Sequence, residues 1–348
     1  MQTAHPSAGR PAAALRPRAA LAMAPEAADG VLDAAALAEL AELTDLVPPP
    51  ALTDFDTAHA RRVLADTELL ITGWGCPPID ERALAAAPRL RAIVHTAGSV
   101  RGHVGAACWQ RGIEVSTAAS ANALPVAEYA LAMILLAGKR VLAAAHSYRA
   151  ARAREHWQYV GPDDGNYQRT VGVLSASLTG RRVIELLRPH DLEVLLYDPY
   201  VSAGAAAEWG ARAVGLDELF ASSDVVSVHT PLLPATRGLV SRELLAALRP
   251  GATLINTARG AVVDQEALTE ALVAGRIHAV LDVTDPDPLP PDHPLWTCDN
   301  VLLTPHIAGS QGTELRRLAA LAIAEVRRWT HGEGFAHALP PDHAALRA

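Results

Sequence analysis

Between Thr170 and Val183 the chain reads T-V-G-V-L-S-A-S-L-T-G-R-R-V: an apolar run, a turn of small residues and the opening of an amphipathic stretch. Roughly 20 residues past the turn, an acid closes a second apolar run in Leu195-Leu196-Tyr197-Asp198-Pro199. A strand, a tight turn, a helix and an acid at that remove form a dinucleotide-binding unit, in which phosphates meet the helix N-terminus and the acid meets the adenosine ribose. The usual G-x-G-x-x-G is here S-x-S-x-x-G, with Ser175 and Ser177 in place of two glycines and Gly180 kept as the third. At Ser175 a Cβ costs energy if the backbone φ is positive. Ser177 is the softer change, since its hydroxyl can bond a phosphate oxygen, and neither Leu178 nor Thr179 adds a cation. The expectation is that NAD binds, with reduced affinity.

Composition narrows the class. A chain of 348 residues, 50% of them hydrophobic, can bury two cores and reads as two domains. A net charge of −8 at pH 7 argues against nucleic acid, whose phosphates call for a clustered basic face. No uninterrupted apolar run approaches the ~20 residues of a membrane span; the longest, near Tyr129–Ala137, sits within a helical pattern. Cys76, Cys108 and Cys298 lie far apart without metal-ligand spacing, so they read as reduced thiols of a cytoplasmic protein that holds no metal. Residues 1–30, rich in Ala, Pro and Arg, lack the apolar core of a targeting signal. They read as a disordered leader, or as the product of an upstream start with Met23 as the true one.

Strand and helix patterns alternate along the remainder, which makes the fold class α/β. Short strands are expected at Glu68–Gly73, Leu90–His95 and Ile113–Ser116, then a long helix from Asn122 to Arg149 with Pro125 in its first turn. After a loop at Pro162–Asn166 comes the strand before the serine turn. Later strands are expected at Glu193–Tyr197, Asp224–His229, Ala252–Asn256, Ala279–Val283 and Val301–Thr304, and helices near Asp217–Ala221 and Gln265–Ala274. The amphipathic stretch Gln311–His331 is expected to pack back on the first domain. The division is therefore 31–121 with 313–348 as one discontinuous domain and 122–312 as an inserted dinucleotide-binding (Rossmann) domain.

Three blocks follow in order: Asn256-Thr257-Ala258-Arg259-Gly260, Leu281-Asp282-Val283 and Thr304-Pro305-His306-Ile307-Ala308-Gly309. With the serine turn they resemble the D-isomer-specific 2-hydroxyacid dehydrogenases, the family of 3-phosphoglycerate, hydroxypyruvate/glyoxylate and formate dehydrogenases. The likeness runs from about Leu69 to Trp329. It implies two Rossmann-like domains, the discontinuous one flavodoxin-like and substrate-binding, and a homodimer with the Asn122–Arg149 helix and its following loop as the arm.

The resemblance also implies roles. Arg259 matches the family's arginine, whose planar fork grips a carboxylate through two hydrogen bonds. His306 matches the acid/base residue, and imidazole suits proton exchange near neutral pH. The family's glutamate, five positions past the aspartate of Leu-Asp-Val, is here Asp287, with Asp285 as a competitor; an acidic Pro-flanked turn is the plain structural alternative. Asp282 matches the residue near the nicotinamide amide, and Thr257, Ala258, Thr230 and Gly309 fall in blocks flanking the cofactor. Ala97, Gly98 and Ser99 correspond to the loop that meets the substrate carboxylate, where Gly98 permits close backbone approach. Trp74 lines the substrate side or packs at a domain edge.

Two functions remain open on the sequence. One is an NAD-dependent oxidoreductase interconverting a 2-oxo acid and a D-2-hydroxy acid. The other is a dehydrogenase-like binding protein with impaired cofactor binding and little turnover. Arg259, Asp287 and His306 favour the first, and the serine turn favours the second.

Overall fold

The computed structural model describes residues 16–153 and 164–340. Two compact units divide the chain, one comprising residues through Asn122 together with those from Gln311 onward, the other Ala123–Ser310.

The first unit holds five parallel strands: β1 (Arg18–Ala22), β2 (Asp45–Leu46), β3 (Leu69–Thr72), β4 (Ala92–His95) and β5 (Glu114–Thr117). Their order, β2-β1-β3-β4-β5, is the flavodoxin-like arrangement. Alternate residues feed opposite faces. Ala19, Leu21, Leu69, Ile71, Ala92 and Val94 join one core, while Ala20, Leu70 and Ile93 join the other. The helix Leu315–Thr330 lays Leu318, Ala322 and Val326, one turn apart, into the first of these cores. Leu315–Thr330 thus packs on the sheet of the N-terminal strands.

The leader reading is corrected for its second half. Residues 1–15 lie outside the described residues, but Arg18–Ala22 is a strand in the middle of the sheet, paired with β2 on one side and β3 on the other. Alanine is a poor strand former alone. Here burial decides: Ala19, Ala20 and Ala22 are sealed between two layers, a place where larger side chains would not fit. A chain begun at Met23 would lack that strand, and Met23 itself is fully buried.

The second unit contains β6 (Arg169–Leu174), β7 (Leu192–Tyr197), β8 (Arg212–Ala213), β9 (Val225–Val228), β10 (Thr253–Asn256), β11 (His278–Leu281) and β12 (Val301–Leu303). All are parallel, in the order β12-β11-β10-β9-β6-β7-β8. This is a Rossmann sheet with one added edge strand, and its order reverses between β6 and β9, where such sheets bind ligands beyond their carboxyl ends. Two-residue β2 and β8 are too short to leave a periodic signal.

The long helix differs from its expected course. It spans Ala119–Gly138, so Pro125 sits inside it rather than in the first turn. It ends where Arg140 turns left-handed (φ 53), its guanidinium bonded to Asp164 and the Gly251 carbonyl, and Asn166 packs so closely on Gly138 that a Cβ there would meet its Oδ1 at 1.9 Å. A second helix, Val141–Ala151, follows. The 20-residue helix is also long and apolar enough to cross a membrane, which no uninterrupted apolar run foretold. Its Ala127, Ala130 and Ile134 are instead buried in the core beside Val171 and Val173.

Candidate active site

Strand register brings the motifs level. Tyr197 pairs with Leu174, Leu174 with Val228, Val228 with Asn256, Asn256 with Leu281, and Leu281 with Leu303. The next residue on each strand, namely Asp198, Ser175, His229, Thr257, Asp282 and Thr304, therefore falls in one row along the carboxyl edge. Segments far apart in sequence become one surface.

At the serine turn Ser175 adopts φ 80, the left-handed region that a Cβ disfavours. Its hydroxyl donates to Asp198 Oδ2 at 3.1 Å, beside the Ala176 amide on the same oxygen at 2.8 Å. The Tyr200 amide donates to Oδ1 at 2.9 Å. Three of the four acceptor positions of the carboxylate are filled, and one on Oδ1 remains. Ser177 is the N-cap of the helix Leu178–Leu187, its Oγ accepting from Gly180 N at 3.2 Å while its proton stays available to a phosphate. Gly180 is obligatory, since a Cβ there would lie 2.0 Å from the Ser175 carbonyl oxygen. Leu178 is exposed, as is usual for the first turn of a surface helix.

These residues fit a dinucleotide. The close approach at Gly180 is kept, the helix N-terminus is capped but not blocked, and Asp198 retains an open acceptor position. The buried Thr257 hydroxyl, on the same edge, has no hydrogen-bond partner among the described residues. Thr230, also buried, donates to the Leu174 carbonyl and ties β6 to the loop after β9. Below the turn, burial pushes the His229 ring down to about 3, and Ser227 Oγ lies 2.9 Å from its Nε2.

Arg259 is set by its own motif. The Asn256 side chain accepts from Ala258 N and donates to the Arg259 carbonyl, both at 3.0 Å, which closes a turn after β10. Arg259 Nη1 donates to the Ala258 carbonyl at 2.7 Å, and the side chain is half-buried. Gly260 has no room for a Cβ, because the Thr284 carbonyl would lie 2.0 Å from it.

His306 stands on the loop after β12, with its Nδ1 3.5 Å from Asp287 Oδ2. Asp285 turns away to Arg237, at 3.4 Å. Of the two candidate acids, Asp287 is the one beside the histidine. His306 also has a positive φ, 55, and its amide is shared between the Thr304 carbonyl at 3.0 Å and the Asp282 carbonyl at 3.1 Å. Asp282 follows β11 on the same edge. It is 1% exposed, and its carboxylate accepts from Thr304 Oγ1 (2.6 Å), Ile307 N (2.8 Å) and Ala308 N (2.9 Å). Its visible work is to brace the loop that carries His306 and Gly309.

In the first unit, Ala97 is buried, Gly98 and Ser99 are partly exposed, and Ser99 Oγ accepts from Arg101 N at 3.2 Å. A Cβ at Gly98 would meet Asn122 Nδ2 at 3.4 Å. Trp74 is 41% exposed, and its carbonyl accepts from Ala24 N. Among the described residues no cluster of His, Cys, Asp and Glu could hold a metal ion.

Asn256, Thr304 and Tyr129 belong to this architecture without having been singled out. The first two stand in motif blocks whose other members drew the chemistry. Tyr129, whose hydroxyl lies 2.9 Å from Thr304 Oγ1, comes from a helix 175 residues earlier and has no motif to mark it.

Residues 131–308, more than half of the chain, match the family model of the D-isomer specific 2-hydroxyacid dehydrogenase NAD-binding domain. The chain belongs to this family. Among 2-hydroxyacid dehydrogenase relatives, D-3-phosphoglycerate dehydrogenase of Mycobacterium tuberculosis (strain ATCC 25618 / H37Rv) is 37% identical over 257 residues, covering 71% of this chain and 47% of that protein. The chain thus spans about half the length of the phosphoglycerate dehydrogenases it matches. Glyoxylate reductase of Korarchaeum cryptofilum (strain OPF8) is 32% identical over 269 residues, covering 76% of this chain and 79% of the relative. A crystal structure of a Thermus thermophilus protein superposes with a TM-score of 0.71 at 29% identity, covering 92% of this chain and 99% of the other.

Proposed function

We propose that the protein is an NAD-dependent oxidoreductase that interconverts a small 2-oxo acid and its D-2-hydroxy acid. The observation that carries this reading is the single carboxyl edge on which the serine turn, Arg259 and the His306–Asp287 pair all stand, with 3.5 Å between imidazole and carboxylate.

Reduction of a 2-oxo acid needs a cation to hold the carboxylate and polarise the carbonyl, and a proton for the carbonyl oxygen. Arg259 supplies the first as a permanently charged fork, with its backbone locked by Asn256. His306 donates the proton and takes it back in the oxidative direction. Asp287, beside Nδ1, orients the ring. Hydride transfer is the chemistry that a bound dinucleotide supplies at this edge. Ser177, Gly180 and the helix start would hold its pyrophosphate. Asp198 would hold a ribose hydroxyl through the open position on Oδ1, and its charge with no arginine at Pro199 or Tyr200 selects NAD over NADP. The backbone of Ala97–Ser99 is the proposed carboxylate-binding loop of the first unit. Two further inferences are a homodimer, and a reducing compartment such as the cytoplasm, which suits three free cysteines.

Titrating the protein with NADH by nucleotide fluorescence, then screening glyoxylate and other 2-oxo acids for NADH oxidation, tests this reading. Binding and turnover are expected. A folded protein that binds no NADH would sink the enzyme reading in favour of a dehydrogenase-like binding protein.

A further inference from the structure

With Asp282 ionised, the protons around it have one arrangement. As a carboxylate it only accepts, so the contact at 2.6 Å from Thr304 Oγ1 consumes the threonine's single proton. The contact at 2.9 Å between Thr304 Oγ1 and the Tyr129 hydroxyl must then run the other way, with the phenol donating. Burial pushes the Tyr129 phenol up, the bond to Thr304 works against this and the Asp282 charge adds to it; the net shift is upward, so the phenol keeps its proton. The result is a directional chain from phenol to threonine to buried carboxylate.

What the chain supports is the histidine loop. Asp282 grips three consecutive residues: its carbonyl takes the His306 amide, Oδ1 takes the Ile307 amide and Oδ2 the Ala308 amide. Between those grips His306 is held at φ 55, a backbone state that persists only where the surroundings over-determine it. Oδ1 serves both Thr304 and Ile307, so the threonine's direction bears on the amide next to the histidine.

We infer that Tyr129 is a positioning residue for His306, acting through Thr304 and Asp282 to fix the loop on which the imidazole meets Asp287. Resting on the assignment of His306 as proton carrier, it ties the proton-transferring group to the interior helix Ala119–Gly138 rather than to neighbours in sequence. Thr304 needs its hydroxyl and not its methyl group, and Tyr129 needs its hydroxyl and not its ring edge.

The test compares Tyr129→Phe, Thr304→Val and Thr304→Ser, using NADH, an accepted 2-oxo acid, and the His306 ring resonances identified by their loss in His306→Gln. Tyr129→Phe should lower kcat about five- to tenfold, the equivalent of one hydrogen bond, with KM for NADH unchanged. Thr304→Val should lower it at least as far, Thr304→Ser should keep wild-type rates, and the ring resonances should shift in the first two only. Because the groups act in series, the double variant Tyr129→Phe/Thr304→Val should be no slower than Thr304→Val alone. Wild-type kcat and unshifted resonances in Tyr129→Phe, multiplicative losses in the double variant, or a Thr304→Ser as slow as Thr304→Val would each overturn the relay. Full activity in His306→Gln would instead refute the proton-carrier assignment, and the resonances would still report on the relay.

Discussion

Two loops at the carboxyl edge of one sheet solve the same backbone problem by opposite means. Ser175, after β6, and His306, after β12, are both non-glycine residues at positive φ, 80 and 55, and both lean on an aspartate. At the serine turn the strained residue spends its own side chain, since the hydroxyl that a glycine would lack is bonded to Asp198. At the histidine loop the strained residue spends only its amide, and Asp282 takes up the amides of the next two residues. The imidazole is left to Asp287. A side chain that offsets its own strain cannot also react; one whose strain is carried by neighbours can.

The comparison breaks first at His306. Replacing it with alanine should reduce kcat about 10²–10⁴-fold, as loss of a general acid–base group does, and leave NADH binding alone. Steady-state kinetics with one accepted substrate measure this, and a near-normal rate would show that another group moves the proton.

Next in size is Asp282→Ala, which removes the acceptor for three donors at a site 1% exposed. A loss of about 3 kcal/mol in unfolding free energy is expected by denaturant titration, together with loss of activity. A stable variant would mean that the loop holds its shape without its brace.

Acid should separate the two loops. His229 packs beneath Gly180 at the serine turn, and burial pushes it down to about 3. Unfolded, it takes a proton near 6.5, so between these values the unfolded chain binds more protons. The stability it contributes is full above about pH 6.5 and is lost as pH falls toward 3, at up to about 1.4 kcal/mol per pH unit. His95 in the first unit, pushed down to about 3 by burial and then by His103, adds a slope of its own. His229→Gln should flatten the acid limb of unfolding in the second unit. An unchanged limb would show that the buried ring is not what acid attacks.

Asp287→Ala should lower kcat about tenfold through loss of the carboxylate 3.5 Å from His306 Nδ1, with little change in stability because both side chains are about half exposed. Asp285→Ala, which loses a contact with Arg237 instead, should leave kcat unchanged. The reverse pattern would exchange their roles.

The smallest effect sharpens the serine side. Ser175→Gly relieves the strain as it removes the hydroxyl bond to Asp198, two terms of about 1 kcal/mol each that nearly cancel. Ser175→Ala keeps the strain and loses the bond, so it should melt lower than both the wild type and the glycine variant. Alanine as stable as serine would show that the hydroxyl on Asp198 contributes nothing.

Much of this was legible in the chain, and for identifiable reasons. Thr170–Leu174, the turn and Asp198 are contiguous signals whose spacing and polarity survive the loss of two glycines. Most strands carry apolar runs long enough to see. Arg259 and His306 stand in short blocks where motif and local turn coincide. Tyr129 was illegible because its partner is 175 residues away, and β1 because alanine signals a strand only once a sheet surrounds it. The break at Gly138–Arg140 depends on Asn166, Asp164 and Gly251, none of which the helical pattern can see.

The sequence by itself determined the α/β class, the serine-modified dinucleotide turn and the residue types available for proton and carboxylate chemistry, because these rest on short-range periodicity and side-chain identity. Only the tertiary structure decided which acid faces His306, where the Ser175 hydroxyl goes and what Asp282 holds. Each of those turns on a few ångströms across strands distant in sequence, and that distance is set by parallel register, which no local stretch of chain encodes.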